Sequence, residues 1–294
     1  MLRIEPARQY DFSKVKTLVF AGGGNRCWWQ AGAVHELLEY GMRLPAQLVG
    51  TSAGAAVAAA CLMETSTTAL DACLRLYSET ARIFDWRALP RLTLKFAHQH
   101  VYPAWVAAFM HAGTFDAMRD STSRLAIGLT RPAPHLGVSG TIAAGTLAYL
   151  VDKYLWNSIH PRLPKLLGLR QDFVVLNDCA TVDDAQNLLV AAASAPPIMG
   201  PRIVGGGPAI DGGYTDNAPI PPQSAEEKAA TLVLLTRHYP KLPTLFHWAG
   251  RTYWQPSRRV PVSTWDCTAK ATVREANALG SVDASAALAM GLVR

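Results

Sequence analysis

Two short apolar runs near the N-terminus, each ending in glycine, restrict the fold more than any other feature of the chain. Residues 17–21 (TLVFA) form a β-branched and aromatic run that stops at Gly22, Gly23 and Gly24, as a buried strand would. Residues 28–40 then read as a helix stopped by Gly41, and 47–50 as a second short strand. Residues 53–63 read as a helix so rich in alanine that it must pack closely on every side. Strand, glycine loop, helix, strand, tight turn and helix in that order mark a parallel sheet covered by helices. The pattern predicts a three-layer α/β/α fold with a mainly parallel central sheet.

Beyond this opening the pattern is helical but interrupted over 67–126. Residues 135–144 and 172–177 read as further strands, with a helical or irregular excursion at 149–169 between them. A helix over 183–193 halts before Pro196 and Pro197, and the glycine- and proline-rich 196–222 reads as a long functional loop. A strand resumes at 230–236, 240–266 is loop-rich, and 282–290 is a final helix. No internal repeat divides the chain. One catalytic domain over 1–294 is expected, with a helical insertion at about 82–134 and a C-terminal extension at about 240–294. The insertion is basic and aromatic around Trp86, Arg87, Arg91, Lys95, Phe96, Tyr102, Trp105, Phe109 and Met110. It reads either as an ordinary helical layer or as a mobile lid or lipid-facing surface.

Half of the 294 residues are hydrophobic and only 17% are charged, which excludes a disordered chain. The longest uninterrupted apolar stretch, 53–63, is far short of the ~20 residues a membrane-spanning helix needs. Residues 1–16 lack the apolar core of a secretory signal, so a cytoplasmic protein is expected, while export without a cleavable signal stays open. Cys27, Cys61, Cys73, Cys179 and Cys267 are odd in number and scattered, and suggest reduced thiols rather than disulfides or a zinc site. The net charge of +6 favours an anionic partner, and no nucleic-acid recognition motif accompanies it. Net charge alone does not choose the partner and more often means only solubility, so peripheral contact with a membrane is one option, and the oligomeric state is left open.

Three motifs carry chemistry. Gly50-Thr51-Ser52-Ala53-Gly54 places a serine on a sharp turn between a strand end and a helix start, where a side chain at either glycine would collide with the neighbouring strand or helix. Gly22-Gly23-Gly24-Asn25-Arg26 follows the first strand and aims backbone N–H groups outward, suited to a phosphate or an oxyanion. A dinucleotide site competes for this loop, but Cys27 replaces the third glycine and no acidic residue ends the second strand. A P-loop is excluded by the missing Gly-Lys-Ser/Thr. Arg26 reads as a clamp on the loop or as a ligand for an anionic head group. The third motif, Asp211-Gly212-Gly213, is by itself an ordinary turn.

In this order the three motifs resemble those of the patatin-like phospholipases. The small-residue and proline run at 191–197 (AAASAPP) and Asn217-Ala218-Pro219 resemble that family too, and the matches span residues 17–220. Cys27, often glycine in the family's loop, is a departure. The resemblance implies a lipid acyl hydrolase with a Ser-Asp dyad: Ser52 the nucleophile, Asp211 the proton acceptor, and Gly22, Gly23 and Gly24 the oxyanion loop. Arg26, Gly50, Gly54, Gly212 and Gly213 are supporting residues. It implies a phospholipid or other lipid ester as substrate, no metal and no organic cofactor.

Two rivals stand beside this reading. One is an α/β-hydrolase with a serine-histidine-aspartate triad, for which His238 or His247 would supply the base. The other is a lipid-binding or interaction module that keeps the fold without catalysis.

Overall fold

The computed structural model describes residues 4–7, 10–86, 94–151 and 158–291. Among these residues ten strands form one sheet in the order β1-β9-β10-β8-β2-β3-β4-β7-β6, with β5 paired to β4. The strands are β1 (Glu5–Pro6), β2 (Thr17–Phe20), β3 (Gln47–Thr51), β4 (Arg124–Arg131), β5 (Arg170–Val175), β6 (Arg202–Val204), β7 (Gly207–Asp211), β8 (Thr231–Leu234), β9 (Leu245–Trp248) and β10 (Arg251–Trp254). The five central strands, β10-β8-β2-β3-β4, run parallel, and antiparallel pairs close both sides. The expected mainly parallel sheet flanked by helices is what the chain adopts.

Central strands read as unbroken apolar runs because both of their faces are covered. Leu18, Phe20, Leu48, Leu232 and Leu234 face one core, and Val19, Ala21, Val49, Val233 and Leu235 face the other. The first core is the larger and is roofed by α1 (Trp28–Glu39), α2 (Ala53–Leu62), α3 (Ser66–Glu79), α4 (His98–Phe109), α5 (Ala112–Arg119), α8 (Val182–Ala192) and α10 (Val273–Ala289). The second is closed partly by Ile159, Ile220, Tyr239 and Leu242 from connecting segments. Three further helices are α6 (Gly137–Val151), α7 (Leu163–Leu166) and α9 (Ala225–Ala229).

Several expectations need correction. Residues 135–144 are not a strand: α6 buries Thr141, Gly145 and Ala148 at helical spacing, and a Cβ on Gly145 would meet the Tyr214 ring. The helical reading of 67–126 runs over the start of β4, whose Gly128 interrupts the strand pattern because Pro219 occupies the space of its side chain. The supposed loop at 196–222 holds the β6–β7 hairpin, turned through Gly205 and Gly206, both at positive φ. Within 240–266, Ala249 and Gly250 turn the β9–β10 hairpin in the same way. The final helix begins at Val273, ahead of the expected 282. Its first half is masked by polar residues, but it packs backbone to backbone on α1: a Cβ on Gly32 would collide with the Asn277 carbonyl, and one on Gly280 with the Trp29 carbonyl. Trp29 Nε1 donates to Asp283 Oδ2 at 2.7 Å across the same seam.

The basic and aromatic stretch also divides differently. Trp105, Phe109 and Met110 belong to the core, so that part is a packed layer and not a lipid-facing surface. Trp86 and Leu94 remain exposed, while Arg87 and Arg91 lie outside the described residues.

Candidate active site

Ser52 sits between β3 and α2 with φ 53° and ψ −142°, a conformation that costs a non-glycine residue about 1–3 kcal/mol. The neighbouring glycines allow it. A Cβ on Gly50 would touch the Ala55 backbone, and one on Gly54 would lie 2.5 Å from the Ala21 carbonyl oxygen. The turn is thus pressed between the ends of β2 and α2, with Ser52 capping the N-terminus of a ten-residue helix whose dipole favours negative charge there.

Asp211 reaches the serine through strand pairing. β5 covers one edge of β4 along Ala126–Arg131, so β3 and β7 must share the other edge. β3 leaves that edge at Thr51, opposite Gly128, and β7 enters at the next residue, with Asp211 opposite Leu129. The end of one strand therefore abuts the end of the other. A Cβ on Gly212 would strike Thr51 Oγ1 and the Gly128 carbonyl, which makes glycine obligatory at this junction.

Ser52 Oγ donates to Asp211 Oδ2 at 2.7 Å, and Gly213 N–H donates to Asp211 Oδ1 at 2.7 Å. The aspartate's own N–H donates to the Ser194 carbonyl at 2.9 Å. Burial raises the Asp211 pKa to about 6, against the two hydrogen bonds that favour its charged form. A buried carboxylate with that pKa is a better proton acceptor than an exposed one, and its hydrogen bond lies along the path the serine proton would take.

The glycine loop lies alongside. Gly24 has φ +55°, and a Cβ on it would collide with the Thr264 carbonyl; one on Gly23 would collide with the Thr236 side chain. Gly23 and Gly24 line the cavity at Ser52, and neither N–H donates to a group among the described residues. Gly22 differs. Its N–H donates to the Asn217 carbonyl at 2.7 Å and its carbonyl accepts from Thr236 Oγ1 at 2.6 Å, so its N–H, unlike those of Gly23 and Gly24, already has a partner. Arg26 Nε donates to the Gly23 carbonyl at 3.2 Å, the clamp that the sequence suggested, and burial lowers the pKa of its guanidinium.

Sequence reasoning missed the groups that hold these loops together. Asn217 belongs to a recognised motif, but its role as acceptor for Gly22 had no sequence signal. His160 bonds Asp216 Oδ2 through Nδ1 at 2.8 Å and Tyr253 Oη through Nε2 at 2.9 Å, bracing the segment that carries Asn217. Both of its nitrogens are thereby engaged away from Ser52. His238 pairs with the Pro256 carbonyl at 2.9 Å and His247 with Thr252 Oγ1 at 3.0 Å, so neither histidine of the triad reading is bonded to the serine. Among the described residues no cluster of three or more His, Cys, Asp and Glu could hold a metal ion, and no helix is long and apolar enough to cross a membrane.

The model of the patatin-like phospholipase family matches residues 18–222, more than half of the chain, and the match takes in the glycine loop, the serine turn and the aspartate. No curated protein matches the sequence. The family acts as hydrolases on lipid esters, and the mixed sheet with its parallel centre is consistent with the family's fold. On the extent of that match, this chain belongs to the patatin-like phospholipase family.

Proposed function

We propose that the protein hydrolyses a carboxylic ester of a phospholipid or other glycerolipid through an acyl-Ser52 intermediate, with Asp211 as the base. The observation that carries the reading is the 2.7 Å hydrogen bond from Ser52 Oγ to a buried carboxylate in a cavity. Ser52 Oγ attacks the ester carbonyl carbon while its proton passes to Asp211. The negative charge on the carbonyl oxygen is met by the Gly23 and Gly24 N–H groups and by the N-terminus of α2. The C–O bond then breaks, and the alcohol leaves with the proton held by Asp211. Water enters, gives a proton to Asp211 and attacks the acyl carbon; the fatty acid departs and Ser52 recovers its proton.

We treat the described chain as one catalytic domain, since α10, beyond the family match, packs closely on α1. We place the protein in the cytoplasm, in peripheral contact with membranes. The contact face we propose is α6, which carries no charged residue, exposes Leu147 and Leu150, and contributes Thr146 and Tyr149 to the cavity. Incubation with phospholipid vesicles, with released fatty acid measured by mass spectrometry, tests the function. Release is expected from the native protein and not from Ser52→Ala; equal release from both would refute the assignment.

A further inference from the structure

Hydrolysis of an acyl-Ser52 needs a water held at the acyl carbon. One hydrogen of that water goes to Asp211, and the other needs an acceptor of its own.

Asn217 offers one. It is half-buried and lines the cavity at Ser52. It also lines a second cavity of about 160 Å³, walled by Ser158, Thr236, Arg237 and Tyr239, which shares Gly213 and Asn217 with the first. A cavity of that size with polar walls has room for several waters. The Asn217 backbone carbonyl accepts from Gly22 N–H, but its carboxamide bonds no group among the described residues. Four buried side-chain atoms among these residues are unpaired and shut off from solvent, Tyr10 Oη, Gln30 Oε1, Tyr102 Oη and Gln171 Oε1. The Asn217 carboxamide is not one of them, so it is both unpaired and open.

Two glycines set its position. A Cβ on Gly22 would lie 3.0 Å from Ser52 Cβ and 3.3 Å from Asn217 Oδ1. One on Gly213 would lie 2.4 Å from Asn217 Oδ1 and 3.1 Å from Asp211 Oδ1. Only the space of a methyl group therefore separates Asn217 Oδ1 from the serine on one side and from the aspartate on the other. The second glycine after Asp211 leaves the carboxamide that room.

We infer that Asn217 Oδ1 accepts the second hydrogen of the deacylating water, and that this makes the acyl-enzyme select water over alcohols as acyl acceptor. The inference rests on the reading of Ser52 as the acyl-bearing residue. Water from the second cavity gives one hydrogen to Asp211 and directs the other to Asn217 Oδ1 while its oxygen bonds the acyl carbon. The bond to Ser52 Oγ breaks, and the proton on Asp211 passes to Oγ. An alcohol has one hydrogen on its oxygen, which Asp211 takes, and it turns a carbon toward Asn217 Oδ1. Asn217 is thereby a catalytic residue of the second half of the reaction.

Partition of one acyl-enzyme between two acceptors tests this, because the product ratio is independent of how much protein is active. p-Nitrophenyl butyrate is supplied with methanol at several concentrations, and butyric acid and methyl butyrate are measured by gas chromatography. Asn217→Leu keeps the backbone carbonyl that holds Gly22 and nearly the size of the side chain. It should raise the ratio of methyl ester to acid about tenfold at each methanol concentration, the size of one hydrogen bond. Asn217→Ala should shift the ratio in the same direction. An unchanged ratio in both variants, with both products still lost in Ser52→Ala, overturns the role of Asn217 and leaves the acyl-serine reading standing. Both products at native rate from Ser52→Ala would remove that reading, and the role of Asn217 with it.

Discussion

Ser52 and Asp211 meet in one cavity but are held there differently. The serine is fixed by residues close to it in the chain: Gly50 and Gly54 leave room for the turn, and α2 begins immediately after it. The aspartate is fixed by pairing over distance, through β7 on the edge of β4 that β3 vacates. One half of the site is a property of a short peptide; the other exists only once the sheet has assembled. Changes near the serine should therefore report on local geometry, and changes near the aspartate on charge and sheet assembly together.

The largest expected effect comes from the aspartate. Asp211→Asn keeps the shape and can still accept from Gly213 N–H, but an amide cannot take the serine proton, so hydrolysis should fall about 10³-fold or more. Esterase rates on the purified variant check this, and a loss under tenfold would show that shape, not proton transfer, is what the residue supplies. Next in size is the glycine loop. Gly23→Val should cost about 10²-fold by driving the loop off Thr236 and displacing one N–H donor. A folded Gly23→Val protein with unchanged kcat would remove Gly23 from the account.

The same aspartate should be a burden on stability. Its folded pKa of about 6 lies above the ordinary carboxylate value, so the folded protein holds the proton more tightly than the unfolded chain. That contribution is full below about pH 4 and is lost as pH rises through about 6. Two pKa units correspond to about 3 kcal/mol, so Asp211→Asn should be more stable than the native protein at pH 8 by up to about that amount and equal to it near pH 4. Urea unfolding at the two pH values measures the difference; an advantage at pH 4 that vanishes at pH 8 would have the wrong sign. In parallel, kcat/KM should fall about tenfold per unit below about pH 6 as the base is protonated. The smallest effect is expected on α6, where Leu147→Asp should weaken vesicle binding a few-fold while leaving hydrolysis of a soluble ester unaltered. Unchanged vesicle binding would remove α6 as the contact.

The same division governs what could be read in advance. The β2-loop-α1-β3-turn-α2 order was legible because each step is set by neighbours in sequence: apolar runs, the glycines after them, and an alanine-rich helix. Asp211 was legible only through its resemblance to a family pattern, since nothing around it announces that β7 pairs with β4. β4 itself was hidden by Gly128, which is small because Pro219 fills its place, a fact of the folded state alone. The run at 135–144 looked extended because valine, threonine and isoleucine favour strands, yet a narrow stripe of Thr141, Gly145 and Ala148 lets it pack as a helix. Gly205-Gly206 was a readable hairpin turn, passed over inside a loop-like stretch.

The central claim is that Ser52 is activated by Asp211 directly, with no histidine between them. The rate at which a fluorophosphonate modifies Ser52, followed by peptide mass spectrometry, measures that activation on the serine itself. Modification of Ser52 is predicted in the native protein and at near-native rate in single alanine variants of His35, His98, His100, His111, His135, His238 and His247. His160→Gln is predicted to label within about tenfold of native, as expected of a residue that only braces the Asn217 segment. Asp211→Asn should label at a rate lower by orders of magnitude. Labelling at Ser139 or Ser194 in place of Ser52, or a folded histidine variant as unreactive as Asp211→Asn, would contradict the account.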